Sequence, residues 1–322
     1  MKNNIKFFLA GFFISSLIFS FLNFFYNNNS SKIKENLGIR DQTIIKGEIS
    51  ANIQKSENFN DKKINISEIK NYPEISATSA ISLKLSNDIE EIIFQKNINQ
   101  KLPIASLTKL MSAIIAVEFL NPQETIKIDE EIINQPESIG ELKIGDILNR
   151  DELLEIMLLE SSNDAAFAIA KIIGVDGFLQ LMNWKAKELS MENTYFFNPT
   201  GIDEEKTNYS TVFDLTKLAK EIIKQKEIMD ILSKKEYPLY LSNGIFHHTL
   251  KNTNELLGEI PGIIGGKTGY TEKAKGCLLE IMKAKENGKN IFIINIILGS
   301  NDRFTDMRKI INFLNENFNF EY

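Results

Sequence analysis

A serine and a lysine three positions apart, Ser106 and Lys109, lie in the run Pro103-Ile104-Ala105-Ser106-Leu107-Thr108-Lys109-Leu110-Met111. On an α-helix this spacing puts both on one face about 5–6 Å apart, so the amine can take the hydroxyl's proton. The pair is a nucleophile with its base. The residues that follow, Leu110, Met111, Ala113, Ile114, Ile115 and Val117, are apolar almost all round, which predicts a helix buried on most sides. A poorly solvated ammonium gives up its proton more readily, so the Lys109 pKa is expected to fall toward neutrality. Ser106 falls at the helix start, where unpaired backbone N–H groups and the positive dipole end favour a developing anion. Ser31/Lys34 and Ser67/Lys70 share the spacing within polar sequence. The apolar helix sets Ser106 apart from them.

Two more polar groups interrupt apolar sequence. Ser161-Ser162-Asn163 lies between two expected helices; taken alone it also fits a helix N-cap, and Ser56-Glu57-Asn58 repeats the pattern elsewhere. In Gly265-Gly266-Lys267-Thr268-Gly269-Tyr270, glycines allow close backbone approach, while a cation and a hydroxyl suit a carboxylate. Taken alone, this stretch also fits a turn with an exposed lysine. The glycine spacing before Lys267 is wrong for a phosphate loop.

The elements that must hold these groups can be read from periodicity. Residues 80–85 and 91–96 read as a hairpin around Ser86-Asn87-Asp88, leading into the Ser106 helix. Residues 121–149 are less regular. Helices are expected over 151–160, with Leu153, Leu154, Met157 and Leu158 inward, and over 164–173, 177–189 and 212–232. Strands follow at 276–283 and 290–298 around Asn287-Gly288, and an amphipathic helix covers 302–317. Strands at both ends with helices between them predict a mixed α/β (α+β) fold: an antiparallel sheet flanked by helices, with an inserted helical subdomain.

The 322 residues, 43% of them hydrophobic, can build one large domain or two modest ones. A net charge of -6 and no long basic run exclude a general nucleic-acid binder. One cysteine, Cys277, excludes an intramolecular disulfide, a Cys-rich zinc site and an N-terminal lipobox. His247 and His248 are adjacent and lack metal-ligand spacing; the pair fits a strand or turn with one ring in and one out. No metal or other cofactor is expected. Lys2 and Lys6 precede an uncharged run, 7–26, long enough to cross a bilayer. It ends in Leu22-Asn23-Phe24-Phe25-Tyr26 rather than small residues, which favours an uncleaved membrane anchor over a removed signal. Both place the remainder outside the cytoplasm, because the lysines stay inside. Residues 27–76, rich in Asn, Lys and Ser, read as a flexible stalk, and 77–322 as the catalytic domain.

In order, Ser-x-x-Lys, Ser-x-Asn and Lys-Thr-Gly form the signature of penicillin-interacting serine enzymes. The surrounding sequence resembles the D-alanyl-D-alanine carboxypeptidases, the low-molecular-mass penicillin-binding proteins. Besides the three motifs, Phe197-Asn198-Pro199-Thr200-Gly201 and Asn252-Thr253-Asn254-Glu255-Leu256-Leu257 carry the likeness, which covers about residues 78–318. The resemblance implies a β-lactamase/transpeptidase-like fold. It also implies removal of the terminal D-alanine from peptidoglycan stem pentapeptides through an acyl-enzyme, with β-lactam antibiotics as covalent inhibitors.

Carried over by position, Ser106 would be the nucleophile and Lys109 its base, and Ser161 would relay a proton to the leaving amine. Asn163 would orient Lys109 and the substrate amide. Lys267 and Thr268 would hold the terminal carboxylate, with Lys267 also keeping Lys109 neutral by repulsion. Backbone N–H groups of Ser106 and Tyr270 would form an oxyanion hole, and Arg303 would stand near the carboxylate. Many relatives have histidine where Thr200 stands, and many carry a C-terminal β domain beyond the point where this chain stops, Tyr322. A D,D-endopeptidase that cuts cross-links is the alternative within the family. A class A β-lactamase is disfavoured for want of a glutamate loop, and an inactive wall-binding scaffold by retention of the six motif residues.

Overall fold

Isoleucine- and leucine-rich stretches near the two ends of the chain pair with each other, and the helix formers between them pack on one side of the result. The computed structural model describes residues 72–322 apart from 87, 88 and 138. Strands β1 (Ser79–Ser86) and β2 (Ile89–Lys96) form the expected hairpin, and a short β3 (Leu102–Pro103) leads to a 3-10 turn (Ala105–Leu107) and helix α1 (Thr108–Phe119). The irregular stretch contains β4 (Thr125–Lys127), α2 (Glu130–Ile133) and β5 (Ile147–Asn149). Then come α3 (Arg150–Leu159), α4 (Asn163–Ile172), α5 (Val175–Glu188), β6 (Tyr209–Ser210), α6 (Val212–Lys224) and α7 (Lys226–Leu232). The last part holds β7 (Glu236–Tyr240), β8 (Phe246–Lys251), β9 (Ile263–Thr271), β10 (Lys275–Glu286), β11 (Lys289–Ser300) and α8 (Arg303–Asn317).

Five strands make the main sheet in the order β2-β1-β11-β10-β9, each neighbouring pair antiparallel. The central strand, β11, sets Ile294 opposite both Leu83 and Ile281. Because side chains alternate across a strand, β11 feeds two cores. Ile294, Ile296 and Leu298 join the larger one, with Leu110, Ile114, Leu154 and Leu218 of the helices. Ile293 and Ile297 join the smaller one, with Leu278, Met282 and α8 residues Met307, Ile310 and Leu314. Ile75 and Ala77 are buried in that second core.

Helix α3 begins with a capping box, Asn149 and Glu152 each bonding the other's main chain, which is worth about 1 kcal/mol. It stops at Glu160, and Ser161 turns the chain with φ of +64°. Ser162 then caps α4, its hydroxyl accepting from Ala165 N at 3.2 Å. The capping task thus falls to the middle residue of Ser161-Ser162-Asn163.

The expected helix over 212–232 is two helices, broken at Gln225, whose backbone is extended with ψ of 90°. The glycine-rich stretch 265–270 is strand and not turn, at the edge of the sheet. His247 and His248 lie on β8, but both rings are largely covered, their Nδ1 atoms 2.6 Å apart. Asp146 and Glu160 stand beside their outer nitrogens, which draws both rings inward. Cys277 on β10 is free and fully buried, and burial pushes its thiol pKa up to about 12. Among the described residues no cluster of His, Cys, Asp and Glu has the arrangement of a metal site, and no single helix is long and apolar enough to cross a membrane. The segment expected as anchor and all of the stalk before residue 72 lie outside the described residues.

Candidate active site

Ser106 sits in the 3-10 turn that feeds α1, as its expected place at a helix start requires. The preceding Ala105 has φ of +46°, a conformation that costs a non-glycine residue of order 1 kcal/mol or more. Neighbours hold the turn there. Ile104 N donates to Asn208 O at 3.3 Å, and Asn208 Nδ2 donates to Thr108 Oγ1 at 3.0 Å. Gly201, with φ of +89°, comes so close that a Cβ would lie 1.9 Å from Ala105 O.

Lys109 is fully buried. Its Nζ lies 2.9 Å from Ser106 Oγ, 2.7 Å from Asn163 Oδ1 and 2.7 Å from Thr200 O. A neutral amine has two N–H bonds, which the two carbonyl oxygens can accept, and one lone pair, which then faces the serine hydroxyl. Burial and, after it, the positive charge of Lys267 hold the Lys109 pKa well below its ordinary value. Among the described residues no carboxylate pairs with it. Position 200 therefore serves through its carbonyl, which any residue provides, while the Thr200 hydroxyl bonds Asn198 Oδ1 at 3.1 Å.

The α3–α4 corner supplies Asn163, whose Nδ2 donates to Pro136 O at 2.7 Å. That bond sets which end of the amide faces Lys109. Ser161 is next to it in the corner, but among the described residues no hydrogen bond joins its hydroxyl to Ser106, Lys109 or Lys267.

Edge strand β9 forms the opposite wall. A Cβ at Gly269 would lie 3.0 Å from Ser106 N, so the missing side chain lets the strand reach the nucleophile turn. Lys267 is buried, its Nζ donating to Thr268 O at 3.0 Å. Burial and then the charge of Arg303 lower its pKa to about 7. Thr268 Oγ1 is 2.6 Å from Thr253 Oγ1, and Thr253 N donates to Leu159 O at 3.1 Å, tying β9 to the end of α3. Arg303 opens α8 with its buried Nε lacking a hydrogen-bond partner among the described residues. Tyr270 is half exposed, its hydroxyl 3.2 Å from Glu272 Oε1, so its side chain turns to solvent. Lys267 and Arg303 thus bring positive charge beside the neutral Lys109 amine, with no carboxylate paired to any of the three among the described residues, an environment suited to an anionic ligand. Thr200 O, Gly201, Asn208 and Thr253 were not singled out individually by residue chemistry, although Thr200, Gly201 and Thr253 fall within the stretches that carry the family likeness.

A family model described as D-alanyl-D-alanine carboxypeptidase matches residues 66–302. The chain belongs to that family. Relatives of this D-alanyl-D-alanine carboxypeptidase family member include the carboxypeptidase DacF of Bacillus subtilis (strain 168), 32% identical over 248 residues, or 74% of this chain and 63% of DacF. The chain therefore spans less than two thirds of that relative's length. The D-alanyl-D-alanine endopeptidase of Escherichia coli (strain K12) is 31% identical over 246 residues, covering 74% of this chain and 77% of its own. Among solved structures, the Streptomyces K15 DD-transpeptidase superposes with a TM-score of 0.67 at 29% identity, covering 75% of this chain and 97% of that one. The mixed fold with its antiparallel sheet is the fold of that enzyme.

Proposed function

We propose that this chain is a serine-type D-Ala-D-Ala carboxypeptidase that removes the terminal D-alanine from peptidoglycan stem pentapeptides. The observation that carries the reading is the Lys109 amine, buried with no carboxylate paired to it among the described residues and 2.9 Å from Ser106 Oγ. Lys109 takes the Ser106 proton as the oxygen attacks the carbonyl carbon of the penultimate D-alanine. The oxyanion lies against the N–H groups of Ser106 and Tyr270, where each donor is worth about 10²–10³ in rate. Ser161 relays a proton to the departing amine as the peptide bond breaks, and Asn163 holds Lys109 and the substrate amide in line. Lys267, Thr268 and Arg303 hold the terminal carboxylate, which supplies the negative charge their pocket lacks. Water then hydrolyses the acyl-enzyme. A β-lactam would acylate Ser106 in the same way.

The site of action is the cell envelope. Residues 1–26 are proposed as a membrane anchor, 27–76 as a tether and 77–322 as the catalytic domain on the extracytoplasmic side. A second reading, cross-link cleavage by a D,D-endopeptidase, is favoured by the name of the Escherichia coli relative. Treatment of peptidoglycan fragments with the protein separates the two. Conversion of pentapeptides to tetrapeptides supports the carboxypeptidase, and conversion of cross-linked dimers to monomers supports the endopeptidase. Labelled penicillin should modify Ser106 covalently; no label on the folded wild type would overturn both.

A further inference from the structure

The face of the sheet turned away from the cleft carries a group that the reaction above does not use. Glu280 on β10 is fully buried, directly opposite Gly266 on β9 and Asn295 on β11. Its Oε2 accepts from Asn254 Nδ2 at 3.0 Å. Oε1 has no hydrogen-bond partner among the described residues, nor does any cation there pair with the carboxyl. The residues next to it across the strands are uncharged, Gly266 on β9, Asn295 on β11 and Ser82 beyond it on β1, and α8 adds Met307, Ile310 and Leu314 to this core; the charged residues that α8 also brings to the sheet, Arg303 and Asp306, lie beside Gly276 and Ser300. Asn295 Oδ1 and Ser82 Oγ also have no hydrogen-bond partner among the described residues. A carboxyl so placed keeps its proton, because the charged form would be desolvated without compensation. Burial raises its pKa to about 8. The retained proton makes the carboxyl a donor on a residue whose strand partner, Asn295, has an amide oxygen without a hydrogen-bond partner among the described residues.

The Glu280–Asn254 contact is built into the strand that carries Lys267. A Cβ at Gly266 would lie 2.4 Å from Glu280 Oε2 and 3.0 Å from Asn254 Nδ2, so the glycine leaves room for both. Asn254 is itself the pivot of a loop, its N donating to Asn252 Oδ1 at 2.9 Å and its Oδ1 accepting from Leu256 N at 3.1 Å. Between these asparagines is Thr253, which meets Thr268 through its hydroxyl and Leu159, at the end of α3, through its N–H. A rigid path thus runs from Glu280 to Thr268 and to the helix end that carries Ser161.

We propose that Glu280 is a positioning residue for the reaction: it holds Asn254 and, through Thr253, sets Thr268 and the end of α3 at the substrate carboxylate. This rests on the reading of Thr268 as a carboxylate-binding residue.

The test uses full-length wild type, Glu280→Gln and Glu280→Leu. The readouts are thermal midpoint against pH, KM and kcat on a D-Ala-D-Ala-terminated peptide, and the rate of acylation by labelled penicillin. A pKa raised above its unfolded value stabilises fully at low pH, and that contribution is lost as pH rises through the folded pKa. Wild type should therefore lose thermal stability progressively as pH rises from the ordinary carboxyl value of 4.5 to about 8 and level off beyond it, and Glu280→Gln, which cannot ionise, should lose less over that window. At pH 7 Glu280→Gln should keep KM within about twofold, whereas Glu280→Leu should raise KM about tenfold with a smaller change in kcat. A Glu280→Leu protein that folds with wild-type KM and acylation overturns the proposal. So does a Glu280→Gln protein whose midpoint follows pH as wild type does, a readout that survives if the leucine variant does not fold. Ser106→Ala and Thr268→Ala serve as controls. Undiminished acylation in Ser106→Ala would sink the assignment of the site, while the expected defects in both controls beside a silent Glu280→Leu would sink the positioning role alone.

Discussion

A buried lysine stands at each end of helix α1, its own Lys109 and Lys185 of the neighbouring α5, and their pKa values shift in opposite directions. At the helix start, Lys109 meets, among the described residues, only the neutral oxygens of Ser106, Asn163 and Thr200, with the charge of a second lysine, Lys267, acting on it. Near its end, Lys185 of α5 reaches Glu118 at 2.7 Å and Glu188 at 3.1 Å. Burial works to lower both pKa values, but at Lys185 the hydrogen bonds and charges of the two glutamates outweigh it and the pKa rises. Desolvation alone therefore does not make a lysine a base. Withholding the carboxylate does, since an opposite charge at about 3 Å is the largest force available to keep the proton on.

The contrast can be broken at either lysine. The largest effect is expected from Lys109→Met, which keeps the bulk and removes the lone pair: acylation by labelled penicillin should fall about 10²–10⁴-fold, with the thermal midpoint held or raised. Normal acylation would take the lysine out of the role given to it. Asn163→Asp should turn Lys109 into a second Lys185 by placing a charge where the amide oxygen lies 2.7 Å away. Its pKa then rises, so the acidic limb of acylation moves to higher pH and the rate at pH 7 drops about 10–100-fold, recovering as pH is raised. An unchanged limb would show that counter-charge is not what sets this base.

Lys267 sharpens the same point. In the proposed role it must be charged to hold a carboxylate, and its pKa is lowered to about 7, so on that reading kcat/KM should decline as pH rises through that value. The decline in kcat should come at higher pH, because a bound carboxylate retains the proton. Coincident limbs would contradict this. The smallest effect belongs to Lys185→Met: Glu188 is half exposed, which screens the pair, and the loss of stability should be about 1 kcal/mol or less with acylation unchanged.

Side-chain chemistry was legible in the sequence and main-chain chemistry was not. Ser106 and Lys109 stand out by their spacing in an apolar helix, Asn163 and Lys267 only through the motifs of the family likeness, and the structure brings Ser106, Lys109 and Asn163 into one bonded group. Thr200 contributes a carbonyl, an atom that every residue has, so nothing about threonine marks the role. Strand β9 was obscured by glycines that weaken strand propensity, yet Gly266 and Gly269 are there because neighbouring atoms occupy the space a side chain would take. The histidine pair was read with one ring outward because Glu160, the partner of His248, lies 88 positions away. Local periodicity carries no trace of such a contact. The break at Gln225 is likewise invisible to an amphipathic pattern that continues on both sides.

The single thiol, Cys277, is closed off within the sheet and holds its proton far above physiological pH. Alkylating reagents act on thiolates, so in the folded protein it should stay silent toward maleimides. A cysteine introduced on any exposed loop would then be the chain's lone reactive handle, and fluorophores or spin labels could be attached beside the cleft without first removing a native residue.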